Sequence, residues 1–305
     1  MDITKAFIKA KQPCADGFRW YLRNATANES YQQLLDALVA DGRVGDACWL
    51  LDQFGPTDAV RVVSELEVPA MVFAGTLHVR GTARVDTVLR TGRDLRVDGG
   101  LRAGRVAAGR DIRCGAALAC DAAVSAGGDL LVAWNLDAGN SISAERLRVG
   151  WDLAGCAGLR ARADVTVGGA LWLEGVLEGL GGVRVGEALE CGAGIRVRHG
   201  VACGATLRCG GHVDAGWGIR AAGSIVVQGA IRAGESIRAG GEIRAGAGYG
   251  IYAGLDVRDD AWETSAQVRA RHRPAQLHSG WWAGPDERVA GRDAGDDAIA
   301  LPDDP

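Results

Sequence analysis

From Leu147 to Ile243 an aliphatic residue stands at every sixth position, seventeen times without a break. The series opens Leu147, Leu153, Leu159, Val165 and closes Ile225, Ile231, Ile237, Ile243. Two residues after each comes a second small or apolar side chain, as in Val149, Val167, Cys191, Cys203, Ala221 and Ala239, and a glycine often follows. Two inward side chains with one outward residue between them are the signature of a short strand, and a glycine after them relieves a sharp bend. Each hexad therefore reads as one strand and one corner.

Three such hexads make an 18-residue coil of triangular section, in which residues 18 apart stack on neighbouring coils. The inward columns support that period. Leu147, Val165, Val183, Val201, Ile219 and Ile237 form one column, and Val149, Val167, Val185, Cys203, Ala221 and Ala239 its inner partner. The second shrinks where the first grows, as a close-packed interior of fixed width demands. Outward, Arg160, Glu178, Arg196, Asp214 and Arg232 alternate in sign at the same step, so stacked coils pair their charges. Earlier blocks start at Leu77 and Val106, joined by one-residue contractions, and an insertion near Tyr249 shifts the register to Ile251 and Val257. The pattern predicts a mainly β, three-sided parallel β-solenoid of about ten coils, roughly 50 Å long. Right-handed winding is preferred from the general rule for parallel crossovers, although hexapeptide repeats also mark left-handed helices.

Residues 1–56 follow a helical period instead. Ser30 and Gln33 form a capping box ahead of Tyr31, Leu34, Leu35, Leu38 and Val39, and Asp41-Gly42 ends that helix. Val44, Ala47, Cys48 and Leu51 mark another, ended at Phe54-Gly55-Pro56. Shorter helices are expected around Ile3–Ala10 and Asp16–Leu22. This small helical domain needs a neighbour to bury its apolar faces, and the open edge of the first coil supplies one. The solenoid is expected over 57–258. In 259–305, Trp262, Trp281 and Trp282 are expected to cap its far end, ahead of an acidic tail read as disordered.

The composition narrows the functions. With 46 glycines and 7 prolines the chain is a repeat protein and not a collagen. The formal net charge of -4 gives no global pull toward nucleic acid or anionic lipid, so neither is expected as a partner. No long apolar run is present, and Met-Asp-Ile-Thr-Lys lacks a signal peptide's apolar core, so a cytoplasmic location is expected, with eight thiols and no CxxC pair.

Candidate chemistry is sparse. Cys191 and Cys209 are 18 apart with Cys203 on an adjacent wall, but they fill slots held elsewhere by Ala and Val, and buried thiols act as small hydrophobes. Cys14 and Cys48 read as a reduced pair in the helical core. His199 and His212 are 13 apart, so they do not stack, and no third histidine lies near enough for a zinc or acyl-transfer site. No cofactor, metal or catalytic residue is expected. Trp134 and Trp151 fall at one corner of adjacent coils because of the contraction between them, and can bind a sugar or a partner surface or pack on an arginine stem. Lys5, Lys9 and Lys11, the only lysines, are the other candidate partner contacts, beside the simpler reading of a solvated helix face.

The stretches Ala-Gly-Gly-Asp-Leu-Leu-Val (126–132) and Gly-Ser-Ile-Val-Val-Gln-Gly-Ala-Ile-Arg-Ala-Gly-Glu-Ser-Ile-Arg-Ala-Gly (223–240) resemble the repeats of bactofilins and related polymer-forming bacterial β-helix proteins over roughly 72–258. The resemblance implies a cytoskeletal or scaffolding role in a bacterium. Covered ends depart from that pattern and oppose end-to-end polymerisation. The reading is a non-catalytic cytoplasmic scaffold or adaptor with a protein partner. The alternatives are a self-assembling filament subunit and a sugar-binding or acyltransferase-type solenoid.

Overall fold

A computed structural model describes residues 5–24, 30–155 and 157–285. The chain is mainly β, a parallel solenoid of about 12 turns behind a small helical region. Residues 18 apart stack as the columns require: Ile219 lies in register with Val201 on one side and Ile237 on the other. Each coil contributes one strand to each of three faces. Face one begins with β1 (Val60–Val63) and is a sheet of 13 strands, about 58 Å along the axis at the usual inter-strand spacing. Face two begins with β2 (Leu66–Val68) and face three with β3 (Met71–Phe73). The second and third faces are hydrogen-bonded as one 21-stranded sheet, because the strands Ala83–Thr91 and Leu101–Ala108 run continuously round their common corner. The step round that corner is six residues from Ala83 to Leu89 and five from Leu101 to Val106, and the register shift between Val85 and Val88 takes up the difference.

The two inward side chains of each strand fill the tube. Leu95, Ile112, Leu130, Leu153, Leu171, Leu189 and Ile225 are all fully buried in one continuous core. Packing is matched coil to coil. Gly155 faces Leu173 in register, and a Cβ at Gly155 would come within 3.0 Å of the Leu173 side chain. At the corners, Gly186 and Gly204 hold the position after the second inward residue. A Cβ there would fall 1.9 and 1.8 Å from the carbonyl oxygen of the coil below, which is why the repeat carries glycine at this point.

The parallel stacking begins within the expected range and extends past its expected end at 258. β1, β2 and β3 add a coil before Leu77, and Gln267–Arg269, Leu277–Ser279 and Trp281–Trp282 pair parallel beyond Val257. The insertion carrying the short helix Trp262–Ser265 breaks the sequence period without breaking the stack. Trp281 and Trp282 are therefore the last strand of face one. Trp282, in register with Val268, packs on the end of the core. Trp262 packs beside Gly254 within the insertion. The tail segment from 286 onward lies outside the described residues.

Four helices precede the rod: α1 (Lys5–Ala10), α2 (Ala15–Asn24), α3 (Tyr31–Ala40) and α4 (Val44–Phe54). The Ser30–Gln33 capping box is formed as the sequence predicts, and Gly55 ends α4 with φ 78°. Leu34, Leu35, Leu38, Leu50 and Leu51 share a second core with Val72 and Ala74 of the first coil. The Gln32 amide clamps the edge of β3. Its Nε2 donates to the Val72 carbonyl at 3.0 Å and its Oε1 accepts from the Ala74 N–H at 2.9 Å. Arg90 pairs with Asp52, and Arg61 lies 4.7 Å from the centre of the Phe73 ring, closing the tube. The helices thus cover the β3 edge, whereas Val60 and Val62 on β1 remain 66% and 48% exposed.

Candidate interaction surfaces

The corners are built by side chains that accept backbone N–H groups from the next coil. Asp94 and Asp111 accept from Asp111 and Asp129 at 3.2 and 3.0 Å, and Asp152 and Asp164 accept from Ala170 and Gly182, each at 2.8 Å. Corner N–H groups have no strand partner there, so these carboxylates satisfy donors the fold would otherwise leave open. His212 does the same, its Nδ1 accepting from Ala230 N–H at 2.9 Å while Tyr249 meets its ring edge-on. His199 stacks on Trp217, one coil further along the same corner, with centroids 4.1 Å apart and planes at 13°.

The inner thiols are likewise structural. Cys191 and Cys209 stack in register, and the Cys191 Sγ donates to the Gly175 carbonyl at 3.0 Å. The hydrogen bond to Cys209 and then burial push the Cys191 thiol up. Burial alone pushes Cys203, on another face, up to about 11. Cys114 and Cys120 are raised by burial, so these four thiols stay neutral fillers at ordinary pH, while the hydrogen bond with Cys191 pulls the Cys209 thiol down. Cys14 is exposed and Cys48 half-buried, and both are free. Among the described residues, no three His, Cys, Asp or Glu side chains converge as metal ligands, and no helix is long and apolar enough to cross a membrane.

Trp134 and Trp151 do meet at one corner of adjacent coils, between faces one and two. The Trp151 N–H donates to the Trp134 carbonyl at 3.3 Å, and the indoles are 59% and 65% exposed. Lys9 and Lys11 are exposed at the end of α1, far along the chain from the tryptophan corner, and Lys5 begins that helix with a side chain outside the described residues. The helices enclose an apolar hollow of about 190 Å³ lined by Ile8, Trp20, Leu34, Leu38 and Trp49.

The three faces differ in charge along their outward columns. On face three Arg160, Glu178, Arg196, Asp214 and Arg232 stack in register as expected, with Arg160–Glu178 at 2.8 Å and Arg196–Glu178 at 3.6 Å. Face two is mixed, running Asp137, Ala154, Trp172, Glu190, Arg208. Face one carries Arg96, Arg113, Leu131, Arg148, Thr166, Arg184, Ala202, Arg220, Arg238 and Arg269, with no carboxylate in the file. At its N-terminal end Arg96 and Arg113 are paired with Asp98 and Asp111 at the corners. From Arg148 to Arg238 the four arginines make no ion pair among the described residues. The positions directly before and after these strands are Gly, Ala or Ser apart from Arg146 and Asp164, and the Oδ1 of Asp164 is taken by Gly182; Glu187 and Glu235, further round the corners, are in no ion pair with the file among the described residues. This basic file is visible in the sequence as a step of 18 from Arg148, the column next to the one that alternates in sign.

Residues 1–54 match the family model of the YdhT N-terminal domain, which coincides with α1 to α4. No curated protein and no solved structure matches the chain.

Proposed function

We propose that this protein is a non-catalytic scaffold or adaptor, in which the solenoid is a stiff spacer that holds partner proteins on its outer faces and on the helical domain. The observation that carries this reading is the uninterrupted register from Leu147 to Ile243, where each strand of three or four residues is followed at once by a corner. Such a wall projects its outward side chains at fixed spacing and carries no long loop over them. Asp152, Asp164 and His212 are engaged in holding corners, and Glu178 pairs with Arg160 and Arg196. A rigid ladder of that kind is suited to presenting surfaces over tens of ångströms, and the exposed Trp134–Trp151 corner is the sort of aromatic anchor that protein interfaces use.

The test is site-specific photo-crosslinking in the native host from a probe amino acid at Trp151 and another at Lys9. The reading expects a discrete heterologous adduct from at least one position, lost when Trp134→Ala accompanies the Trp151 probe. Adducts only between copies of this chain would overturn it in favour of a filament subunit. One feature favours that second reading: β1 is the terminal strand of face one, paired on one side only, with the strand Thr76–Val79, among the described residues.

A further inference from the structure

We infer that the arginine file on face one, from Arg148 to Arg238, is a docking site for an extended acidic segment of a partner protein. The inference rests on the scaffold reading and names the chemistry of what is held. Arg220 and Arg238 are direct register partners on adjacent strands. Like charges in that relation repel, yet neither has a carboxylate within ion-pair distance among the described residues. The Nε of Arg238 is buried with no hydrogen-bond partner. An anion seated between the two guanidiniums, on their terminal amines, relieves that repulsion.

The shape fits a side-chain carboxylate. Thr166 and Ala202 separate Arg148, Arg184 and Arg220, so these guanidiniums stand apart over small residues, and only Arg220 and Arg238 are adjacent. A groove of about 470 Å³ runs along this file from Thr166 to Arg238, with the stacked His199 and Trp217 on its wall and, at its Thr166 end, Asp164, whose Oδ1 is occupied by the Gly182 N–H. Five coil steps separate Arg148 from Arg238, about 24 Å at the usual strand spacing, which is the length of roughly seven extended residues. Arginine's planar fork matches a carboxylate through two parallel bonds.

Nucleic acid is the less favoured occupant for two reasons. The unpaired positive stretch is short on a chain of net charge -4. A uniformly charged strand would run past it onto the paired end at Asp98 and Asp111, whereas a peptide places its charges at chosen positions. The ring faces of His199 and Trp217 that look toward each other are also already stacked, so a base has no slot between them.

The experiment uses the full chain and fluorescence anisotropy at low and moderate salt. The probes are a labelled peptide of repeated Glu-Gly-Leu, its Gln-Gly-Leu counterpart and a labelled oligothymidylate of similar length. The variants are R184E/R220E on face one and R196E/R232E on face three, each checked for folding by circular dichroism. The expected result is binding of the glutamate peptide but not the glutamine one, weakened roughly tenfold or more by R184E/R220E and within about twofold of wild type for R196E/R232E. Equal loss in both variants, or no binding of the glutamate peptide, would overturn the inference. Tighter binding of oligothymidylate, lost in R184E/R220E, would overturn it in favour of a nucleic-acid face. If a heterologous crosslinked partner is retained equally by wild type and R184E/R220E, face one is not its docking site and the scaffold reading stands alone.

Discussion

Replacing Ile225 and its neighbour Val226 separately by alanine gives the sharpest test of the register. Ile225 is 0% exposed and sits in register between Leu207 and Ile243, inside the tube. Val226, the next residue, points outward between Arg208 and Arg244. Ile225→Ala removes three carbon groups from a fully buried site. At about 0.8 kcal/mol each this is roughly 2.4 kcal/mol before any cavity is counted. The walls are hydrogen-bonded on both sides and collapse little, so the total is expected near 3–4 kcal/mol. Val226→Ala removes two carbon groups from a partly solvated position and is expected to cost no more than about 1 kcal/mol. Ile225→Asp, which puts a carboxyl where no partner exists, should exceed both and unfold neighbouring coils. Guanidinium unfolding followed by far-ultraviolet circular dichroism measures the losses. Hydrogen exchange over 207–245 localises them, since a solenoid need not unfold as one unit. Equal costs at 225 and 226 would refute the inward–outward assignment, because a one-residue slip exchanges the two faces.

Other consequences are open to measurement. Gln32→Ala should leave the Val72 carbonyl and Ala74 N–H without side-chain partners and cost about 1–3 kcal/mol, read as a lower melting temperature with the rod's exchange protection lost first at the β3 end. Gly204→Val should be markedly more destabilising than Ala205→Val, because only the former drives a side chain into the carbonyl 1.8 Å away; equal melting temperatures would contradict the corner geometry. Cys203 holds its proton up to about pH 11 in the folded protein, whereas in the unfolded chain it ionises at its ordinary value of 9.0. Its contribution is therefore complete below pH 9 and lost as the pH rises toward 11, by about 3 kcal/mol. Cys203→Ala should shallow that alkaline loss, and an unchanged pH profile would show that the thiol is not buried as described.

Much of the architecture was legible because the interior enforces a period. Seventeen aliphatic positions at a step of six, together with the paired columns at a step of 18, are what a closed triangular tube requires, and the register obeys them. The ends were less legible. Val63, Leu66 and Met71 before Leu77, and Val268 and Trp282 after Val257, keep their places in the stack but lose the even spacing, since an insertion such as 254–266 lengthens a corner without moving the strand that follows. Which side of the first coil the helices cover depends on Gln32 reaching Val72 and Ala74, a contact across 40 residues that no local pattern announces. The tryptophan corner followed from counting the contraction. The arginine file did not emerge because a near-neutral total conceals an uneven distribution: the column on face three cancels its own charge while the column on face one does not. The stacking of His199 on Trp217 was open to the same count of 18.

The adaptor reading stands most directly on whether the intact rod remains discrete although β1 is paired on one side only among the described residues. Sedimentation velocity of the full-length chain over a wide concentration range, with negative-stain electron microscopy of the same samples, measures this. The account predicts a single elongated species whose sedimentation coefficient does not grow with concentration, and which gives way to aggregates or filaments when residues 1–56 are removed. Long filaments of the intact chain, unchanged by that deletion, would contradict it and make the protein a self-assembling subunit.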